Sequence, residues 1–344
     1  METRRMVLLT EGRLGTFSSK TATSLIRYKG EAVVAVLDAA HAGKPLQDIL
    51  EIGDGIPIVA SIEETLPMQP TELVLAVATV GGFIPDEWRV LICTAIENGM
   101  DIVNGMHVFL NDDTEIRALA ELKRVQLHDL RRPPVDIEMA SYRSHELTNT
   151  RVLTVGADSS IGKMVAALEI TDAARKAGWD ADFVATGQIG MMIAGTGIAV
   201  DAVVADFISG ATEQMVMERS HRELLIVEGQ GTIVHPLYSG VSLGLLHGAA
   251  PQALVLCHQP GREFMRNAPV RIPSYADLIH LHEMISRPLF DTEVIAISLN
   301  CAGMTVDDAH NIVDEVHRET GLPVTDCVKF GCDPIIEALE PFRK

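Results

Sequence analysis

The residues best suited to chemistry lie in Val152-Leu-Thr-Val-Gly156-Ala-Asp-Ser-Ser-Ile-Gly162-Lys163-Met164, an apolar run, a stretch of small residues and a Gly-Lys pair. That pattern suits phosphate. Small side chains let backbone N–H groups reach its oxygens, a following helix adds partial positive charge at its N-terminus, and Lys163 offers a mobile ammonium. Gly156, Asp158, Ser159, Ser160, Ile161, Gly162, Lys163 and Met164 are therefore candidates to hold a nucleotide or nucleotide-bearing cofactor. The pattern departs from the Walker A form, G-x-x-x-x-G-K-[ST], because five residues separate the glycines and Met164 replaces the hydroxyl that ligates magnesium on bound ATP. Ser159 or Ser160 could supply that hydroxyl instead.

A second constellation is Leu224-Leu-Ile-Val-Glu228-Gly-Gln-Gly231, an apolar strand ending in a carboxylate. Glu228 could hold a cation, accept a proton from a substrate amine, or stand solvated at the strand end. Thr186 and Gln188 follow another strand, at the carboxyl edge where open α/β sheets bind ligands, and are substrate candidates. Asp201 is read equally as a helix cap or a ligand contact, and Asp206, a substrate candidate, faces the sheet if Val203 and Phe207 do. His235, in an irregular loop, is either a general base or a ring packed against Pro236 and Tyr238. Arg262 is a candidate for a substrate carboxylate, and Asn300 for a nucleotide base or a turn. His280, His282, His310 and His317 lack metal-site spacing and are read as structural, so no metal is expected.

Elements must carry these residues, and short β-branched runs alternating with helical stretches predict α/β architecture with parallel sheets. Strands are expected at 6–9, 32–38, 56–60, 72–78 and 101–104, then at 151–155, 182–186, 224–228, 253–257 and 293–299. Ser61-Ile-Glu-Glu64 predicts a capping box, and Gly99 the end of a helix over 86–98. Two domains are expected, 1–130 and 151–344, joined by a linker over 131–150 that begins Arg131-Arg132-Pro133-Pro134. In the first, Glu11-Gly12-Arg13-Leu14-Gly15-Thr16 and Asp38 suggest a dinucleotide-binding unit, but G-x-G-x-x-G is absent and NAD is not supported. Lys20-Thr21 are candidates for an anion, and Ala78-Thr-Val-Gly81-Gly82 and Asn104-Gly-Met-His107 end strands.

A net charge of -19 repels nucleic acid, so an anionic ligand needs a local positive site. The five cysteines contain no C-x-x-C pair and read as reduced thiols of a cytoplasmic protein. The apolar run before Glu11 is too short for a signal peptide, and no later stretch suits a membrane span.

The turn VGADSSIGKM and the segment VEGQG resemble those of dethiobiotin synthetase and related amide-forming enzymes. Together with GRLGTFSSKTATSLIRYKGE, NGMHVFLNDD, ATGQIGMMIAGTGIAVDAVVADFISGATE and HPLYSGVSLGLLHGAAPQALVL, they resemble one two-domain family along almost the whole chain. It was long catalogued as a domain of unknown function, and its characterised bacterial members look like D-glutamate N-acetyltransferases. The resemblance implies a Rossmann-like N-terminal sheet, a P-loop NTPase-like C-terminal sheet and acetyl-CoA as co-substrate. A CoA diphosphate would make Met164 intelligible, with Glu228 or His235 as base. The alternatives are an ATP-magnesium ligase or kinase and a non-catalytic nucleotide switch. The expected partners are a small amino-acid substrate and further copies of the chain in a homo-oligomer.

Overall fold

The computed structural model describes residues 4–15, 18–77 and 82–343. They divide into two compact units, 4–133 with 191–195, and 134–190 with 196–343. Each is built on a parallel sheet of six strands.

In the first unit the apolar runs become β1 (Met6–Leu9), β2 (Val33–Leu37), β3 (Ile58–Val59), β4 (Glu72–Leu75), β5 (Asp101–Asn104) and β6 (Leu127–Asp129), in the order β3-β2-β1-β4-β5-β6. This is the Rossmann order. Val7, Leu8 and Leu9 are all fully buried, as happens when helices cover both faces of a parallel sheet and consecutive side chains alike leave water. The helices are α1 (Lys20–Lys29), α2 (Gln47–Leu50), α3 (Asp86–Glu97) and α4 (Thr114–Lys123), and Trp88 of α3 joins Leu37, Leu75 and Ile102 in the core. Gly99, with φ 80°, follows the end of α3 as expected. The expected capping box is corrected: Glu63–Met68 is a 3₁₀ helix containing Pro67, and no side chain caps it. Strand β4 stops at Leu75, short of the expected 78; Thr16 and Ala78 to Gly81 lie outside the described residues. Asp38 is buried and bonded to Thr10 Oγ1 (3.0 Å), Leu14 N (3.2 Å) and His41 Nδ1 (2.9 Å), so it fixes the loop after β1. Asn104 likewise donates to Val108 O and Asp129, holding the loop after β5.

The second unit has β7 (Thr150–Gly156), β8 (Ala181–Val184), β9 (Leu224–Val227), β10 (Ala253–His258), β11 (Glu293–Leu299) and β12 (Val324–Thr325), ordered β12-β11-β10-β7-β9-β8. Its helices are α5 (Lys163–Lys176), α7 (Ile208–Met217), α8 (Ser239–Ala249), α9 (Tyr275–Ser286), α10 (Val306–Thr320) and α11 (Asp333–Leu339), together with the start of α6 (Gln188–Ala194), whose residues from 191 on count with the first unit. Strand β7, which carries the Gly-Lys turn, lies between β9 and β10, so residues after all three strands meet at one sheet edge. The stretch expected as a linker is anchored. Buried Glu213 of α7 accepts from Ser141 N at 2.9 Å, Ser141 Oγ at 3.0 Å and Arg143 N at 2.7 Å.

Arg151, 1% exposed, stabilises the root of β7 with no carboxylate partner among the described residues. Its guanidinium donates to Ala249 O (2.9 Å), Ala250 O (3.0 Å) and Asn149 O (2.9 Å), and burial lowers its pKa to about 10. Arg151→Met strands these carbonyls away from water. It is expected to cost about 3–5 kcal/mol in urea unfolding, and an unchanged midpoint would contradict this account.

Candidate functional site

The turn after β7 is shaped to leave its amides unspent. Ala157 N bonds Cys257 O at 3.1 Å, which ends the ladder. The backbone N–H groups of Asp158, Ser159, Ser160, Ile161 and Gly162 then make no hydrogen bond among the described residues. Ser160 (φ 56°) and Gly162 (φ 108°) adopt left-handed backbone, which turns consecutive amides toward one side. Helix α5 begins at Lys163 with no acidic residue in its first turn, so its positive end is not neutralised there. Glycine is required close by: a Cβ on Gly229 would lie 1.6 Å from Thr154 O, and one on Gly156 would lie 2.8 Å from Ile161 Cδ1.

Lys163 is not the mobile ammonium expected. It is 6% exposed, folds back to donate to Asp158 O at 2.7 Å, and burial lowers its pKa to about 8. The side chain of Asp158 is fully buried and serves the turn's own structure. Its Oδ2 accepts from Arg262 Nη1 at 2.9 Å and from Arg266 N at 2.8 Å. Arg262 further donates to Ser159 O (2.8 Å) and Gln259 Oε1 (2.6 Å), so it braces the turn before it can meet any substrate. His235 is corrected as a base. Leu237 N donates to its Nδ1 at 3.1 Å, which makes Nε2 the protonated nitrogen, and Nε2 lies 2.8 Å from Arg266 O. The ring is fully buried and packs on Tyr238, the packing alternative.

Glu228 is the carboxylate left for chemistry. It is 4% exposed, and burial raises its pKa to about 7 against the opposing pull of two amides. Those amides, Thr186 N at 2.9 Å and Gly187 N at 3.1 Å, both bind Oε2, and among the described residues Oε1 has no hydrogen-bond donor. Thr186 Oγ1 donates to Glu228 O at 2.7 Å and accepts from Gln230 Nε2 at 3.1 Å, so Thr186 positions Glu228. Asp201 adds negative charge nearby, while Lys163 opposes it. Gln188 opens α6 half-buried, with no side-chain hydrogen bond among the described residues. Asp206 is corrected: it is exposed, and the buried positions beside it are Val203 and Ile208.

On the other side of β7, Asn300 follows β11 and lies next to Gly162, whose Cβ would lie 3.6 Å from Asn300 Nδ2. Its backbone N bonds His258 O at 2.8 Å. A cavity of about 220 Å³ opens beside them, lined in part by His258, Arg262 and Tyr275. No spacing pattern joins these three in the sequence. Cys257, in register with Gly156, is buried, and its thiol is pushed up to about 12 by burial. No group of three or more metal-ligating side chains occurs among the described residues.

The family model for a P-loop domain of unknown function, DUF1611 C-terminal, matches residues 138–336, and its Rossmann-like N-terminal counterpart matches 39–133. The chain belongs to the DUF1611 family. A crystal structure of a DUF1611 protein from Anabaena variabilis superposes with a TM-score of 0.93 at 38% identity, covering 98% of this chain and 99% of that one. A protein of Pseudoalteromonas sp named D-glutamate N-acetyltransferase is 37% identical over 283 residues, 81% of this chain and 84% of the relative. One of the same name from Tritonibacter scottomollicae is 35% identical over 281 residues, with the same shares covered.

The packing of Glu228 offers a test of the site without altering the carboxylate. A Cβ on Gly190 would lie 2.3 Å from Glu228 Oε2. Gly190→Ala is therefore expected to expel the carboxyl from its amide pair and to cost about 1–3 kcal/mol by thermal unfolding. Full stability with Glu228 still bonded to Thr186 N in a crystal structure would contradict this.

Proposed function

We propose that the protein transfers an acetyl group from acetyl-CoA to the amine of an acidic amino acid, D-glutamate. The observation that carries the reading is a buried carboxyl, Glu228, titrating near neutrality beside a phosphate-binding turn with unspent amides. The names of relatives similar over most of the chain supply the substrate. The turn fits CoA phosphates: its amides from Asp158 to Gly162 and the Lys163 ammonium are the donors, and Met164 leaves no hydroxyl at the usual magnesium position. Bound acetyl-CoA would supply the acetyl group activated as a thioester.

The residues of this chain supply the proton chemistry. An amino acid arrives as an unreactive ammonium, and the Oε1 face of Glu228 can take its proton once the carboxyl is ionised. Thr186 N and Gly187 N hold the carboxyl still from the Oε2 side. The pH dependence follows. Glu228 must be deprotonated, so kcat/KM rises through about pH 7, and Lys163 must be protonated, so it falls above about pH 8. A flat profile from pH 6 to 9 would refute both roles.

Two variants and one assay test the rest. Glu228→Gln is expected to lower kcat by about 10²–10⁴-fold. The same change should raise stability at pH 8 by about 3 kcal/mol, because the folded-state pKa lies above the unfolded one and ionisation therefore opposes folding above that range. Lys163→Ala should weaken acetyl-CoA binding tenfold or more. Pure protein given D-glutamate should release free thiol from acetyl-CoA; ADP release from ATP-magnesium in its place would overturn the proposal.

A further inference from the structure

The cavity beside His258, at the end of β10, is not used by the chemistry above. Its six most informative walls are His258, Arg262, Ser274, Tyr275, Leu278 and Glu319. At about 220 Å³ it is smaller than the roughly 300–1,000 Å³ pockets that enclose a whole drug-sized ligand, so it suits one end of a longer molecule. Its polar groups are partly unspent. Three of the five guanidinium N–H groups of Arg262 are used on Asp158, Ser159 and Gln259, which leaves two donors free among the described residues. His258 meets Tyr275 edge to face, with centroids 5.3 Å apart, and its Nδ1 is buried without a hydrogen-bond partner among the described residues. Burial lowers its pKa to about 4, so the ring is neutral at pH 7. Burial first, and then the charge of Glu319, disfavour ionisation of the Tyr275 phenol.

We infer that this cavity takes the adenosine 3′-phosphate end of the acyl donor, an inference that rests on the acetyl-CoA reading above. Its apolar and aromatic walls suit the faces of a flat purine, and Glu319 suits its exocyclic amine. The spare donors of Arg262 suit a phosphate, and the same guanidinium binds Ser159 O of the turn, so the cavity adjoins the place where a diphosphate would lie. The substrate amino acid is the competing occupant, and strand order argues against it. β7 separates β10 from β9, so the cavity lies about two strand spacings, roughly 10 Å, from Glu228. An amine held there is out of reach of that carboxyl. The cofactor therefore straddles β7, nucleoside toward β10 and β11, acyl arm toward β8 and β9.

Calorimetric titration with adenosine 3′,5′-bisphosphate, the nucleotide half of CoA, reads the cavity without any turnover. The native protein should bind it, Tyr275→Ala should weaken binding tenfold or more, and Tyr275→Phe, which keeps the ring, should remain within threefold. Glu319→Gln, at an exposed position, should weaken it several-fold with unchanged thermal stability. In the acetylation assay Tyr275→Ala should raise KM for acetyl-CoA and not for D-glutamate. No binding by the native protein, equal binding by Tyr275→Ala, or a shift confined to the D-glutamate KM would overturn the inference. Tyr275-dependent binding without acetyl transfer would uphold the cavity assignment and refute the proposed activity.

Discussion

Asp158 is a carboxylate entirely removed from water inside the turn that would hold an anion, and a buried charge is tolerated only where it is paired. Arg262 and the amide of Arg266 meet that demand from the loop after β10. The consequence for the turn is geometric. Braced from outside by a side chain, it does not need its own N–H groups to hold its shape, and they remain available. The same ion pair holds Arg262 at the wall of the cavity. Shape of the turn, supply of amides and wall of the cavity thus depend on one contact between residues distant in sequence.

Glu228 illustrates the opposite balance. Its carboxyl is desolvated, but it receives amides rather than a cation, so it stays close to the point of ionisation at neutral pH. In a chain with a net charge of -19, a fully ionised and exposed carboxylate would be one of many. Burial sets this one apart, and the strand-end glycines make the burial possible by letting the backbone of β9 press against β7.

Much of this could be read from the residues. The apolar β-branched runs marked ten strands within a few residues of their observed bounds, because strands covered on both faces must be continuously apolar. β6 and β12 were not legible: Leu127-His-Asp129 and Val324-Thr325 are too short to show a period. The Gly-Lys turn and the strand-end position of Glu228 were legible because local composition and spacing encode them. The roles of Asp158 and His235 were not, since what decides them is a partner far along the chain, Arg262 in one case and Arg266 O in the other. Asp206 was misread because the chain around it forms short 3₁₀ turns, so helical phasing from Val203 does not carry through.

Cys257 carries a practical corollary for chemical probing. Its sulfur sits in register with the first glycine of the turn, yet burial holds the thiol protonated far above neutral pH. Nucleophilic sulfur is thus withheld from the first residues of the turn. It also means that electrophilic inhibitors aimed at this turn will find no warhead anchor there, and selective compounds must win their affinity through shape and reversible contacts.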